Sequence, residues 1–143
     1  MTVYVIDASV ASRFLLVEDL SDRAGMVLQG FLEGEFNLSA PKLVTYEVGN
    51  TLWKAVRQTI IGLDEAQRKL SYLLRLRIDT VELDERDHKE ALNWGVKNSS
   101  TYYDSVYVKT AIKAGAVLLT CDDVLYQKAH KEVPTMHLKD YSR

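Results

Sequence analysis

The sequence predicts an α/β fold with a mainly parallel central β-sheet flanked by helices. Three observations carry that reading. Two short apolar runs, Val3–Ile6 and Ala116–Leu119, lack polar alternation, as strands buried on both faces do. Strand candidates then alternate with amphipathic helical segments, the pattern of parallel strands joined by crossovers. The 143 residues suit one domain spanning 1–143, and 47% apolar content suffices to fill its core.

The elements follow in order. Val3–Ile6 is a strand that stops at Asp7, and Ser9–Leu16 reads as a first helix. A second runs from about Ser21 to Glu33, its end marked by Gly30 and Gly34. Phe36–Ala40 is a weak strand, and Pro41 suits the first position of a helix from Lys42 to Thr59, where a missing N–H costs nothing. Gly62 breaks that helix and Asp64 caps the next, which ends near Arg77. Thr80–Leu83 alternates as a third strand, followed by amphipathic Glu85–Lys97. A helix over Tyr103–Ala114 is closed by Gly115. After the strand Ala116–Leu119, a helix to about Lys131 and a short strand, Thr135–Leu138, complete the chain.

Composition excludes several classes. Mid-range charge and apolar content exclude a disordered tail. The lone Cys121 cannot form an internal disulfide, and no secretory signal or membrane span is visible, so a soluble cytoplasmic protein is expected. The formal net charge of −2 does not by itself point to nucleic acid.

The placement of acids is more informative. In parallel sheets, ligands bind at the carboxyl ends of strands, and both clear strands end in acids, at Asp7 and Asp122. Glu47 lies mid-helix in an apolar segment, with Leu43, Asn50, Thr51 and Lys54 on its face. Asp104 opens a helix whose side continues through Val108 and Ala111; Asp123 is an adjacent fifth acid. Each also suits a structural role. Asp7, Asp122 and Asp123 fit helix starts, Asp104 lies three residues after Thr101 in a loose capping box, and a mid-helix Glu is usually solvated. Taken together they point elsewhere. Converging carboxylates repel one another unless a cation sits among them, and hard oxygen donors suit Mg²⁺ or Mn²⁺. His88, His130 and His137 show no zinc spacing. Such an ion site is suited to phosphodiester hydrolysis, and no nucleophilic triad or glycine-rich phosphate loop competes.

Four segments resemble the PIN domain, specifically the VapC-type toxin ribonucleases. They are Val5-Ile6-Asp7-Ala8-Ser9; Pro41 to Asn50, with Glu47 followed three residues on by Asn50; Tyr102-Tyr103-Asp104-Ser105-Val106-Tyr107; and Leu119-Thr120-Cys121-Asp122-Asp123-Val124-Leu125. The resemblance covers nearly the whole chain. It implies a PIN fold, Mg²⁺- or Mn²⁺-dependent endoribonuclease activity on RNA, a homodimer, and inhibition by a cognate antitoxin protein that inserts a segment into the acidic groove. Asp7, Glu47, Asp104 and Asp122 are then metal ligands and catalytic residues. Asn50 and Thr120 support them by hydrogen bonding, Ser9 orients Asp7 or binds the metal through water, and Asp123 assists or caps a helix.

With those five acids set aside, 18 basic residues face 15 acidic ones, a balance that tolerates a phosphate backbone. Arg13, Lys54, Arg57, Lys97 and Lys109 are candidate phosphate contacts, although for any one of them ordinary surface is the better reading. Tyr102, Tyr103 and Tyr107 are candidates for base stacking; an aromatic at helical spacing is more often core or dimer interface. A haloacid-dehalogenase-type phosphatase needs an acid where Ser9 stands, and a receiver domain needs an acidic pair after its first strand. A non-catalytic PIN-like scaffold that binds RNA or protein, and an RNA-processing PIN nuclease outside toxin–antitoxin systems, are the remaining alternatives.

Overall fold

The computed structural model describes residues 1–143. Its elements are β1 (Val3–Ile6), α1 (Ala8–Ser12), α2 (Ser21–Leu32), β2 (Asn37–Ala40), α3 (Leu43–Arg57), α4 (Leu63–Arg75), β3 (Asp79–Thr80), α5 (Glu85–Lys97), α6 (Tyr102–Ala114), β4 (Val117–Thr120), α7 (Asp123–Ala129) and β5 (Thr135–His137). A 3₁₀ turn, Leu138–Asp140, follows. The five strands form one sheet in the order β3-β2-β1-β4-β5, and every pairing is parallel. The predicted fold class is thus observed, with no antiparallel edge. Val5, Ile6, Leu38, Leu118 and Leu119 are buried at the sheet centre beneath Val10, Val27, Val48, Val108 and Leu125 from the covering helices. Each such side chain contributes roughly 1.5–3 kcal/mol through burial.

The strand order places the functional end. From β1 the chain winds outward to β2 and β3, then returns to add β4 on β1's other side. The switch point therefore lies between β1 and β4, where crossovers leave in opposite directions and open a crevice beyond the strand ends. Register pairs Ile6 with Leu119, so Asp7 and Thr120 emerge side by side at that crevice.

Several boundaries differ from expectation. The first helix ends at Ser12 rather than Leu16, because Arg13, Phe14 and Leu15 donate to carbonyls three residues back and tighten the chain into turns. Arg13 also holds the carbonyl of Asp19 at 2.8 Å. The strand expected over Thr80–Leu83 pairs only as Asp79–Thr80. Val81 N–H donates to Ala40 O at 3.0 Å, but the next partner is Pro41, which has no N–H to return. Pro41 lies one residue outside α3's cap, Lys42, and Gly62, not Asp64, occupies the cap position of α4, leaving Asp64 in its first turn. Gly30 lies inside α2, where a Cβ would meet the Phe36 ring at 2.7 Å; Gly34, at φ +78°, ends that region. The helix at Glu85–Lys97 matches expectation and begins with a reciprocal capping box between Asp84 and Asp87.

Candidate carboxylate site

Asp7 is the buried centre of the site. It leaves β1 in extended geometry and caps α1, accepting Val10 N–H at 3.1 Å. The same Oδ1 accepts the Ser9 hydroxyl at 2.6 Å, and Oδ2 accepts the hydroxyl of Thr120 at the end of β4. Ser9 Oγ in turn accepts Cys121 N–H at 2.9 Å, and Thr120 Oγ1 accepts Asp122 N–H at 3.0 Å. Two hydroxyls therefore fasten Asp7 to the β4–α7 turn. Burial pushes the Asp7 carboxyl above the usual range; the three donors oppose this, and the charge of Asp122 adds to it. Burial also pushes the Cys121 thiol up to about 11, so it stays protonated near neutrality.

The other acids arrive on separate elements. Asp122 caps α7, accepting Leu125 N–H at 2.9 Å, and is exposed. Glu47 projects from α3, half-buried, and accepts the Tyr107 hydroxyl at 2.6 Å across to α6. Asp104 stands half-buried in the first turn of α6, its N–H capped by Thr101 Oγ1 at 3.1 Å. Burial pushes Asp104 up to about 6, followed by the charges of Asp122, Asp7 and Glu47, against a smaller lowering by the Thr101 hydroxyl. Asp104 thus feels the charge of the other three acids through space. The structural roles weighed for Asp7 and Asp122 are real as well: each caps a helix with one oxygen.

A groove of about 480 Å³ runs past Ser9 and Glu47, and Leu43, Asn50, Thr51 and Lys54, the side chains predicted on Glu47's face, line it. Arg13 lines it too, clamped by Asp19 and by Ser9 O at 2.7 Å. Lys109 is committed elsewhere, to Glu90 and Asp87 on α5. Arg57 lies over the Trp53 ring at 5.8 Å. Asp123 turns away from the groove: its Oδ1 lies 2.8 Å from His137 Nε2, although off the line a hydrogen bond needs. Tyr107, considered for stacking, is buried; it orients Glu47 instead. Its position one helical turn after Asp104 was the available signal for that role. Burial and the Glu47 charge push its phenol up, so it remains a donor.

The donor set fits a hard divalent cation. No three His, Cys, Asp or Glu side chains are gathered closely enough to clasp an ion directly. The fit therefore rests on donor chemistry alone: carboxylate oxygens suit Mg²⁺, which keeps several waters and takes one or two carboxylates.

The PIN domain family model matches residues 4–131, which include all four acids. This chain belongs to the PIN domain family. Among curated relatives, ribonuclease VapC3 of Pyrobaculum aerophilum is 33% identical over 125 residues, covering 87% of this chain and 92% of that protein. Ribonuclease VapC1 of Mycobacterium tuberculosis is 30% identical over 126 residues, covering 84% and 90%. The crystal structure of PAE2754 from Pyrobaculum aerophilum matches this PIN domain at TM-score 0.73 and 25% identity, covering 96% and 92% of the two chains. VapBC2 of Rickettsia felis, solved bound to a DNA fragment from its promoter, shares the fold at TM-score 0.70 and 13% identity, covering 95% and 98%. No helix of this PIN domain is long and apolar enough to cross a membrane.

Proposed function

We propose that this PIN domain is a divalent-metal-dependent endoribonuclease and the toxin of a type II toxin–antitoxin pair. The observation that carries the reading is the buried Asp7 carboxylate, held on both oxygens by Ser9 and Thr120 at the β1–β4 switch point, with Asp104 near enough to feel Asp7, Glu47 and Asp122, which add to burial in raising its carboxyl. Repulsion of this kind costs stability and is retained where a cation relieves it. Asp7, Glu47, Asp104 and Asp122 would hold Mg²⁺ or Mn²⁺. When bound, the metal supplies a water nucleophile active near neutral pH and neutralises charge on the leaving oxygen.

The chain's own residues do the rest. Ser9 and Thr120 fix both oxygens of Asp7, so its free lone pairs keep one direction. Tyr107 orients Glu47 in the same way. Arg13 and Lys54 are the cations among the groove's lining, beside Glu18 and Glu47, and would meet the RNA backbone, with Asn50 next to them as an exposed amide. Asp123 takes a structural place beside β5. A cognate antitoxin belongs to the same reading, in keeping with the VapBC structures among the structural relatives, and a homodimer is part of it on the family resemblance alone. A cytoplasmic location is consistent with RNA as substrate.

The test is cleavage of single-stranded RNA in Mn²⁺, its loss in EDTA, and its loss in Asp104→Asn with the circular dichroism spectrum preserved. Cleavage by Asp104→Asn at the wild-type rate, or cleavage unaffected by EDTA, overturns the reading. Co-purification with the product of an adjacent small reading frame tests the toxin assignment.

A further inference from the structure

Beside the carboxylate groove lies a second hollow of about 280 Å³, walled mainly by apolar side chains. The two share Leu43, Tyr46 and Tyr103, so these side chains form a common wall. Each tyrosine immediately precedes a candidate metal ligand, Glu47 on α3 and Asp104 on α6. One residue is a step of about 100° around a helix, which sets each ring beside its acid rather than over it. Tyr46 is 70% and Tyr103 58% exposed, and neither ring joins the hydrophobic core. Tyr102 stands at the back, its hydroxyl bonded to His88 Nδ1, while Val81 and Leu83 give the hollow apolar walls. At the rim, Lys42 Nζ and Glu82 Oε1 are paired at 3.1 Å and exposed.

We propose that this hollow is a subsite for one unstacked nucleobase, belonging to a nucleotide next to the bond that is cut. The inference rests on the ribonuclease reading and adds the place of a base-binding subsite to it. A base has a flat apolar face and polar edges; the tyrosine rings offer the first a stacking surface, and Lys42, Glu82 and His88 meet the second. A chain whose phosphates run past Arg13 and Lys54 toward the carboxylates brings its neighbouring base to the Tyr46–Tyr103 wall. The groove is polar, lined by Arg13 and Lys54 as well as Glu18 and Glu47, and the exposed aromatic rings stand at its side; that pairing favours a nucleotide, with its charged backbone and flat base, over an apolar protein segment.

The experiment measures kcat/KM in Mn²⁺ on a short single-stranded RNA cut at one bond, and on the same RNA with an abasic ribose on either side of that bond in turn. One abasic substrate should be cut at least about five-fold less efficiently, the lower end of what a single base stack provides. Tyr103→Ala should lower cleavage of the parent RNA by a similar factor and of that abasic RNA little further, while Tyr103→Phe restores the parent rate. Equal cutting of the parent and both abasic RNAs overturns the subsite, as does an equal loss on parent and abasic RNA in Tyr103→Ala. A dimer that dissociates in Tyr103→Ala, with no abasic effect in the wild type, assigns the hollow to a second copy and also overturns it. If no RNA is cut, the nuclease reading has failed, and the subsite is judged by fluorescence titration with a tetraadenylate RNA in EDTA. Binding weakened by Tyr103→Ala and restored by Tyr103→Phe supports it; absence of binding overturns it.

Discussion

Replacing Asp104 by Asn should stabilise the metal-free fold, the reverse of what most changes at a partly buried position do. The carboxyl titrates at about 6 in the folded chain against an ordinary 3.8. A difference of about two pH units corresponds to about 3 kcal/mol as a ceiling. Asp104 is only half-buried, so solvent screening reduces this severalfold, and the positive end of α6 favours the charge by roughly 0.5 kcal/mol. The expected net gain is about 1 kcal/mol. Its pH dependence has a definite sign. A raised acid binds its proton more tightly folded than unfolded, so the wild type loses stability as pH rises from about 4 through about 6, and the loss is complete above that. Asn has no proton to lose. Urea titrations in EDTA should therefore show the variant ahead by about 1 kcal/mol at pH 8, with the gap closing by pH 4. Millimolar Mn²⁺ should reverse the order, since only the wild type keeps the full ligand set. A gap that is absent at pH 8, or equal at pH 4 and pH 8, would refute the repulsion on which the metal reading stands.

Thr120→Val removes the donor to Asp7 Oδ2 and the acceptor for Asp122 N–H inside a buried site. It should cost about 1–3 kcal/mol of stability, read by urea denaturation, and should lower Mn²⁺ affinity by roughly ten-fold or more in a thermal-shift titration. Tyr107→Phe keeps the ring packed and deletes only the hydroxyl that holds Glu47, so kcat should fall about ten-fold with KM nearly unchanged in steady-state cleavage assays. Far from the groove, Asp87 accepts the Lys113 ammonium at 2.6 Å and Asp84 N–H at 3.0 Å, which lower its carboxyl to about 2. A lowered acid stabilises the fold above its unfolded value and loses that contribution as pH falls from about 4 through 2. Asp87→Asn should therefore flatten the acid limb of a denaturation-against-pH curve in that window.

The sequence revealed the acids more readily than the groups that manage them. Asp7 and Asp122 were legible because a buried strand that stops at a carboxylate breaks an apolar pattern, and Glu47 because helical spacing put Leu43, Asn50, Thr51 and Lys54 beside it, where the groove now has them. The strand order was not legible. Whether β4 returns to β1 or extends the sheet beyond β3 depends on long-range packing, and that choice alone brings Thr120 to Asp7. Tyr107 is core, the reading its helical spacing favoured, but its hydrogen bond was not legible for the same reason: one-dimensional spacing gives its helix face and not the acid 60 residues earlier that meets it across α3 and α6. Helix capping also explains why each acid looked ordinary alone. One oxygen of Asp7 and one of Asp122 satisfies a backbone N–H group, so each carboxylate has an ordinary structural role beside any other, and the second oxygen of Asp7 is taken by the Thr120 hydroxyl. Capping therefore holds both carboxylates in place whatever repulsion acts between the acids. A cap-preserving change such as Asp122→Asn should then keep α7 intact in metal-free protein and still lose Mn²⁺ binding, whereas a site built only for capping would lose nothing.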